Sequence, residues 1–89
     1  MIKMLRRYVV KGHSMEPSFR DGDKVLVSSL FFTLRKDDVV VFSDGKRDCL
    51  KRIVATRGNN YVAAGDNKNH SRTYNVARSR IKGKFLMKY

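Results

Sequence analysis

Apolar positions in this chain come in short runs, not at the three-and-four spacing of an amphipathic helix. The runs are "RYVV" (7–10), "KVLVSSLFF" (24–32), "DDVVVFSDGK" (37–46), "DCLKRIVATRGNN" (48–60), "YVAAGDN" (61–67) and "GKFLMKY" (83–89). β-Branched and aromatic residues fill them, and Gly, Asp, Asn and Ser separate them, as expected of short strands joined by tight turns. "SDGKR" (43–47) and "RGNNY" (57–61) read as hairpin turns, because Gly and Asn accept positive φ. The pattern predicts an all-β fold of mostly antiparallel strands. Residues 2–9 also fit a helical turn or two with Ile2, Leu5 and Val9 on one side, although so short a helix is marginal in isolation. Pro17 falls in the turn before "KVLV", where its missing N–H costs no ladder hydrogen bond.

Size and composition narrow this picture. The chain has 89 residues, 42% of them apolar, which predicts one small folded domain spanning residues 1–89. Cys49 is the single cysteine, so no internal disulfide staples the fold and the apolar residues must fill a core. No stretch approaches the roughly 20 apolar residues that span a bilayer. "MIKMLRRYVV" is too short and too charged for a signal-peptide core. The expectation is a soluble or peripherally membrane-associated protein.

Charge is uneven along the chain. Residues 1–44 hold 8 Lys/Arg against 6 Asp/Glu, whereas residues 45–89 hold 12 against 2. The basic half favours anionic partners: nucleic acid, acidic lipid headgroups or an acidic protein. A solubilising basic surface accounts for the same numbers.

Candidate chemistry begins by elimination. His13, His70 and Cys49 are scattered without ligand spacing, so neither a metal nor another cofactor is expected. Ser14 lies in the turn "GHSMEPS" (12–18) and reads either as a turn residue or as a nucleophile. On extended backbone its neighbour His13 points to the opposite face and makes a poor base. His70, in a polar loop, stays open as an alternative. In "CLKRIV" (49–54), strand alternation puts Lys51 and Ile53 on one face and Leu50, Arg52 and Val54 on the other. One of the two basic residues must then face an apolar side. A desolvated lysine loses its proton near neutral pH and can deprotonate a serine hydroxyl. The other reading is that Lys51 covers the core with its stem and keeps its ammonium in water.

Several stretches, in order, resemble the signal peptidase I family, a Ser-Lys superfamily shared with LexA-type self-cleaving repressors. "GHSMEPSFRDGDKVLV" (12–27) is similar to the family's nucleophile box, and "KDDVVVF" (36–42) to its next strand. "LKRIVA" (50–55) is similar to the box that supplies the catalytic lysine. "AAGDNKNHS" (63–71) resembles the Gly-Asp-Asn box, and "IKGK" (81–84) the closing strand. The resemblance implies a small coiled, mostly antiparallel sheet or partly open barrel. It also implies a serine endopeptidase that cleaves a leader or signal segment from a precursor polypeptide. Ser14 would be the nucleophile and a backbone oxyanion donor, and Lys51 the general base and acid. Ser71 would hold the lysine, Gly65 and Asp66 would shape the site, and Met15 and Pro17 would set the turn. Bacterial members usually carry a serine two residues before the nucleophile, where this chain has Gly12. Thr73, Tyr74 and Asn75 stand where the family has Asp-Ser-Arg. The usual N-terminal anchor is not expected, since 13 residues precede Ser14.

Two surface readings accompany this one. "SSLFFTL" (28–34) would present an apolar edge to lipid or substrate, or else divide between core and cover. With the basic half it would make peripheral contact with acidic membrane lipids. A catalytically inert basic β-domain is the alternative, with Tyr61, Tyr74, Phe85 and Tyr89 stacking on nucleic acid.

Overall fold

The computed structural model describes residues 4–30, 33–69 and 72–89. Seven strands follow one another along the chain: β1 (Leu5–Val9), β2 (Lys24–Ser28), β3 (Val39–Ser43), β4 (Asp48–Arg57), β5 (Asn60–Ala64), β6 (Thr73–Ala77) and β7 (Ile81–Lys88). They form one sheet in the order β1-β2-β7-β3-β4-β5-β6. Every pairing is antiparallel. The sheet is not closed into a barrel, and β1 and β6 are its edges. The only helical turn among the described residues is a 3₁₀ turn at Arg78–Arg80, which feeds β7.

The central strand explains why a sheet this small is stable. In β3, Val39, Val40, Val41 and Phe42 are all buried. Successive strand side chains point to opposite faces, so β3 is covered on both. Val39 and Val41 join one apolar cluster with Val10, Met15, Phe19, Val25 and Val27. Val40 and Phe42 join a second with Leu34, Ile53, Ala63, Val76 and Ile81. The uninterrupted "VVVF" run is thus the sequence mark of a strand with no solvent side.

Most expected turns are present. The β3–β4 turn has Gly45 at φ 100°, and the Asp44 carboxylate accepts the N–H groups of Lys46 and Arg47. Gly58, at φ 59°, closes the β4–β5 hairpin, where Arg57 faces Asn60. Residues 5–9 are strand, not helix, because they pair along their whole length with β2; Ile2 lies outside the described residues. β6 is a strand that the hydrophobic pattern did not announce: in "TYNVA" only Val76 is fully buried. Of the "SSLFFTL" run, Leu34 is buried and Leu30 exposed, while Phe31 and Phe32 lie outside the described residues.

Candidate active site

Ser14 sits in the connection from β1 to β2. The base of this connection is closed by Val10 N–H to Asp23 O at 2.8 Å and Gly22 N–H to Val10 O at 2.8 Å. Two apolar anchors then fix its interior. Met15 and Phe19 are 2% and 3% exposed and lie in the first cluster, with Phe19 N–H donating to Met15 O. Burying a side chain such as Met15 contributes on the order of 1.5–3 kcal/mol. Pro17 follows a cis peptide bond in the same turn. The residue after the serine therefore points into the core, and the turn is held from within.

Lys51 comes from β4, directly opposite Val40 of β3. It shares its face with Ile53, as strand alternation requires, and only 8% of it is exposed. Its Nζ lies 2.7 Å from Ser14 Oγ. The Tyr74 ring, itself edge-on to Phe42 at 5.3 Å, lies 5.9 Å from the same nitrogen. Burial pushes the Lys51 amine below its ordinary value; the Cys49 thiol opposes that shift and the Arg47 charge adds to it. No carboxylate pairs with Lys51 among the described residues. The amine is thus desolvated, uncompensated and in contact with a hydroxyl, the conditions under which a lysine becomes a base at moderate pH.

The connection after β5 locks the serine in place from outside. Asn67 N–H donates to Ser14 O at 2.8 Å, and Asn67 Nδ2 donates to His13 O at 2.9 Å. Gly65 lies so close that a Cβ there would sit 2.5 Å from Ser14 O. Only a residue without a side chain permits that approach. Asp66 acts from behind. Its two carboxylate oxygens accept Arg52 Nε and Nη2, each at 2.9 Å. Burial raises the Asp66 pKa, but the Arg52 and Ser18 hydrogen bonds outweigh it and hold the carboxyl below its usual range. Arg52 also donates to Asp37 O at 2.8 Å. Of the two basic neighbours in β4, one therefore enters the site and the other braces it.

A cleft of about 550 Å³ opens beside the pair. Ser14 and Lys51 both line it, with Val9 and Gly12 on the β1 side and Cys49 and Leu50 on the β4 side. Gly12, at φ 84°, donates its N–H to Asp21 Oδ1 at 2.7 Å. That N–H is committed to a carboxylate, so this position offers the cleft neither a hydroxyl nor a free amide. The Ser14 N–H meets no acceptor among the described residues. His13 is exposed and pairs through Nδ1 with Glu16 at 2.6 Å.

The structure thus brings Lys51 and Gly65 against Ser14, puts Met15 and Pro17 in the same turn as the serine, and pairs Asp66 with Arg52 beside them. Ser71, expected to hold the lysine, and His70 lie outside the described residues. The reading of the sequence missed three contributors. Asn67 belongs to the "AAGDNKNHS" stretch, yet its amide geometry has no sequence signal. Strand alternation places Arg52 opposite Lys51 and says nothing of its carboxylate partner. Tyr74 fits a stacking aromatic in the sequence. Tyr74 instead packs on Phe42, Tyr61 packs on the second cluster, and Phe85 packs edge-on against Phe19 at 4.8 Å. Of that set Tyr89 is exposed, with Arg7 over its ring. Three of the four aromatics proposed to stack on nucleic acid are therefore engaged in packing. Among the described residues no three His, Cys, Asp or Glu side chains gather as metal ligands. Nor is any helix there long and apolar enough to cross a membrane.

Comparison with known proteins adds an independent finding. Residues 1–69 match the family described as "Signal peptidase, peptidase S26". Signal peptidase IB of Staphylococcus aureus, in strains Mu50 / ATCC 700699, N315 and MW2, is 38% identical over 55 residues. That match covers 57% of this chain and 29% of each relative, so it spans less than a third of their length.

Proposed function

The chain belongs to the signal peptidase family, peptidase S26, and from that premise we propose that it is a Ser-Lys serine endopeptidase acting on a precursor polypeptide. The observation that carries this reading is the 2.7 Å contact between Lys51 Nζ and Ser14 Oγ, made by a lysine that is 8% exposed. Neutral Lys51 accepts the Ser14 hydroxyl proton as Oγ attacks the scissile carbonyl carbon. The carbonyl oxygen becomes an oxyanion that the Ser14 N–H stabilises. Collapse of this intermediate breaks the C–N bond, and the Lys51 ammonium returns its proton to the leaving amine. Water then attacks the acyl-enzyme ester, again giving its proton to Lys51. The carboxylate product leaves and Ser14 Oγ recovers its proton.

The surrounding residues take supporting roles in this scheme. Met15 and Phe19 set the serine from the core side, and Gly65 and Asn67 set it from the surface side. Tyr74 and the second apolar cluster keep water from the amine and so keep it basic. The N–H of Gly12 is committed to Asp21, so the scheme relies on the Ser14 N–H as the oxyanion donor.

The test is chemical and direct. A serine-reactive penem should add one adduct mass to the wild-type protein, on the peptide containing Ser14, and none to Ser14→Ala. Lys51→Met should keep the fold and lower precursor cleavage by about 10²- to 10⁴-fold, the range of a positioned general base. Equal processing of a precursor by wild-type and Ser14→Ala proteins would overturn the assignment.

A further inference from the structure

The cleft at Ser14 does not end at the catalytic pair. It runs into an adjoining depression lined by Asp44, Lys46, Arg47, Arg72, Tyr74 and Arg80. Arg47, Arg72 and Tyr74 line both spaces, so the two adjoin. Four cations meet one carboxylate on this shelf. That carboxylate, Asp44, is already held by the backbone N–H groups of Lys46 and Arg47 at 2.8 and 3.0 Å, and by the Cys49 thiol at 3.6 Å. Asp48, an acid on the cleft wall, pairs with Lys82 at 2.9 Å. Among the described residues none of Lys46, Arg47, Arg72 and Arg80 has an ion-pair partner. Arg80 spends one N–H on Ser43 O.

Unpaired cations of one sign beside a cleft raise the local concentration of an anionic ligand and fix its register. We infer that this shelf receives an acidic segment of the polypeptide substrate, close to the bond that Ser14 attacks. The inference rests on the peptidase reading above and deepens it by naming the substrate chemistry. A polypeptide fits better than a single-stranded nucleic acid. The one aromatic on the shelf, Tyr74, is packed against Phe42 with Lys51 Nζ 5.9 Å from its ring, so the shelf lacks the run of aromatic faces on which successive bases stack. The shelf also shares its walls with the catalytic cleft, so a chain threaded past Ser14 must cross it.

Binding and cleavage can be measured separately. Short fluorescent peptides with alanines at the centre and Glu, Gln or Lys in the flanking positions are titrated against Ser14→Ala by anisotropy. Each is also incubated with wild type to follow cleavage. The Glu peptides should bind about three- to fivefold more tightly per acidic residue than the Gln peptides, the size of an exposed charge pair. The gain should vanish in about 1 M salt, where the Debye length is about 3 Å. Arg72→Glu, introduced into the Ser14→Ala protein, takes the shelf from four cations against one carboxylate to three against two, and should weaken the preference for the Glu peptides. Equal binding of Glu and Gln peptides, or a preference that Arg72→Glu leaves intact, would overturn the inference. So would tight binding of oligouridylate at the shelf that no acidic peptide displaces. If wild type and Ser14→Ala turn over every peptide alike, the catalytic reading fails, whatever the binding data give.

Discussion

Lys51 carries the sharpest chemical consequences because it is an amine held out of water against a serine hydroxyl. Under the proposed mechanism its protonated form is inactive, so kcat/KM should rise with pH, with an acid limb below the ordinary lysine pKa of about 10.4. The Arg47 charge contributes to that lowering, after burial. Arg47→Gln should therefore move the limb to higher pH, which a pH–rate profile reads directly. Stability follows the same proton. Between the lowered native pKa and the ordinary value, the unfolded chain binds more protons than the folded one, so stability should climb as pH rises through that window. Lys51→Met removes the buried amine; it should flatten this dependence and raise the midpoint of thermal unfolding at neutral pH, while cleavage is lost. A Lys51→Met protein less stable than wild type at neutral pH would contradict that account. Strand alternation made Lys51's face legible in the sequence, whereas its contact with a serine 37 residues away was not. Apolar patterning says which way a side chain points and nothing about what meets it there.

At the scale of elements, the β5–β6 connection acts as a clasp on the β1–β2 connection. Gly65→Ala would drive a methyl group into Ser14 O. It should cost about 1–3 kcal/mol, the range for overpacking, and lower kcat about 100-fold by displacing the nucleophile. Denaturant melts and steady-state kinetics on the same sample separate the two effects. Asn67→Ala keeps the backbone bond to Ser14 but loses the amide bond to His13 O. About 1 kcal/mol of stability should go with it. Both residues stood in the quoted "GDN" stretch, so the clasp's place in the chain was readable, but its grip was not. The grip depends on backbone groups that carry no side-chain identity. β6 escaped notice for a related reason: an edge strand buries little, and "TYNVA" shows one apolar beat where "VVVF" shows four. "VVVF", by contrast, was unmistakable because a strand covered on both faces cannot contain a polar residue cheaply.

For the whole molecule, the decisive feature is the seating of β7 between β2 and β3. Without it the sheet divides into β1–β2 and β3–β6, and Ser14 belongs to the first piece while Lys51 belongs to the second. Deleting residues 81–89 should abolish cooperative unfolding, seen as loss of a sigmoidal melt, because no strand ladder then joins the two pieces and the second cluster loses Ile81. The topology is also strongly non-local, which favours slow folding. The same seating bears on when the molecule can act during its own synthesis. A ribosome emits the nucleophile early, the amine midway and the strand that joins them last of the seven. Until that strand emerges and inserts, no strand ladder joins the piece that carries Ser14 to the piece that carries Lys51. Under the proposed mechanism, cleavage by the chain therefore awaits the insertion of its seventh strand.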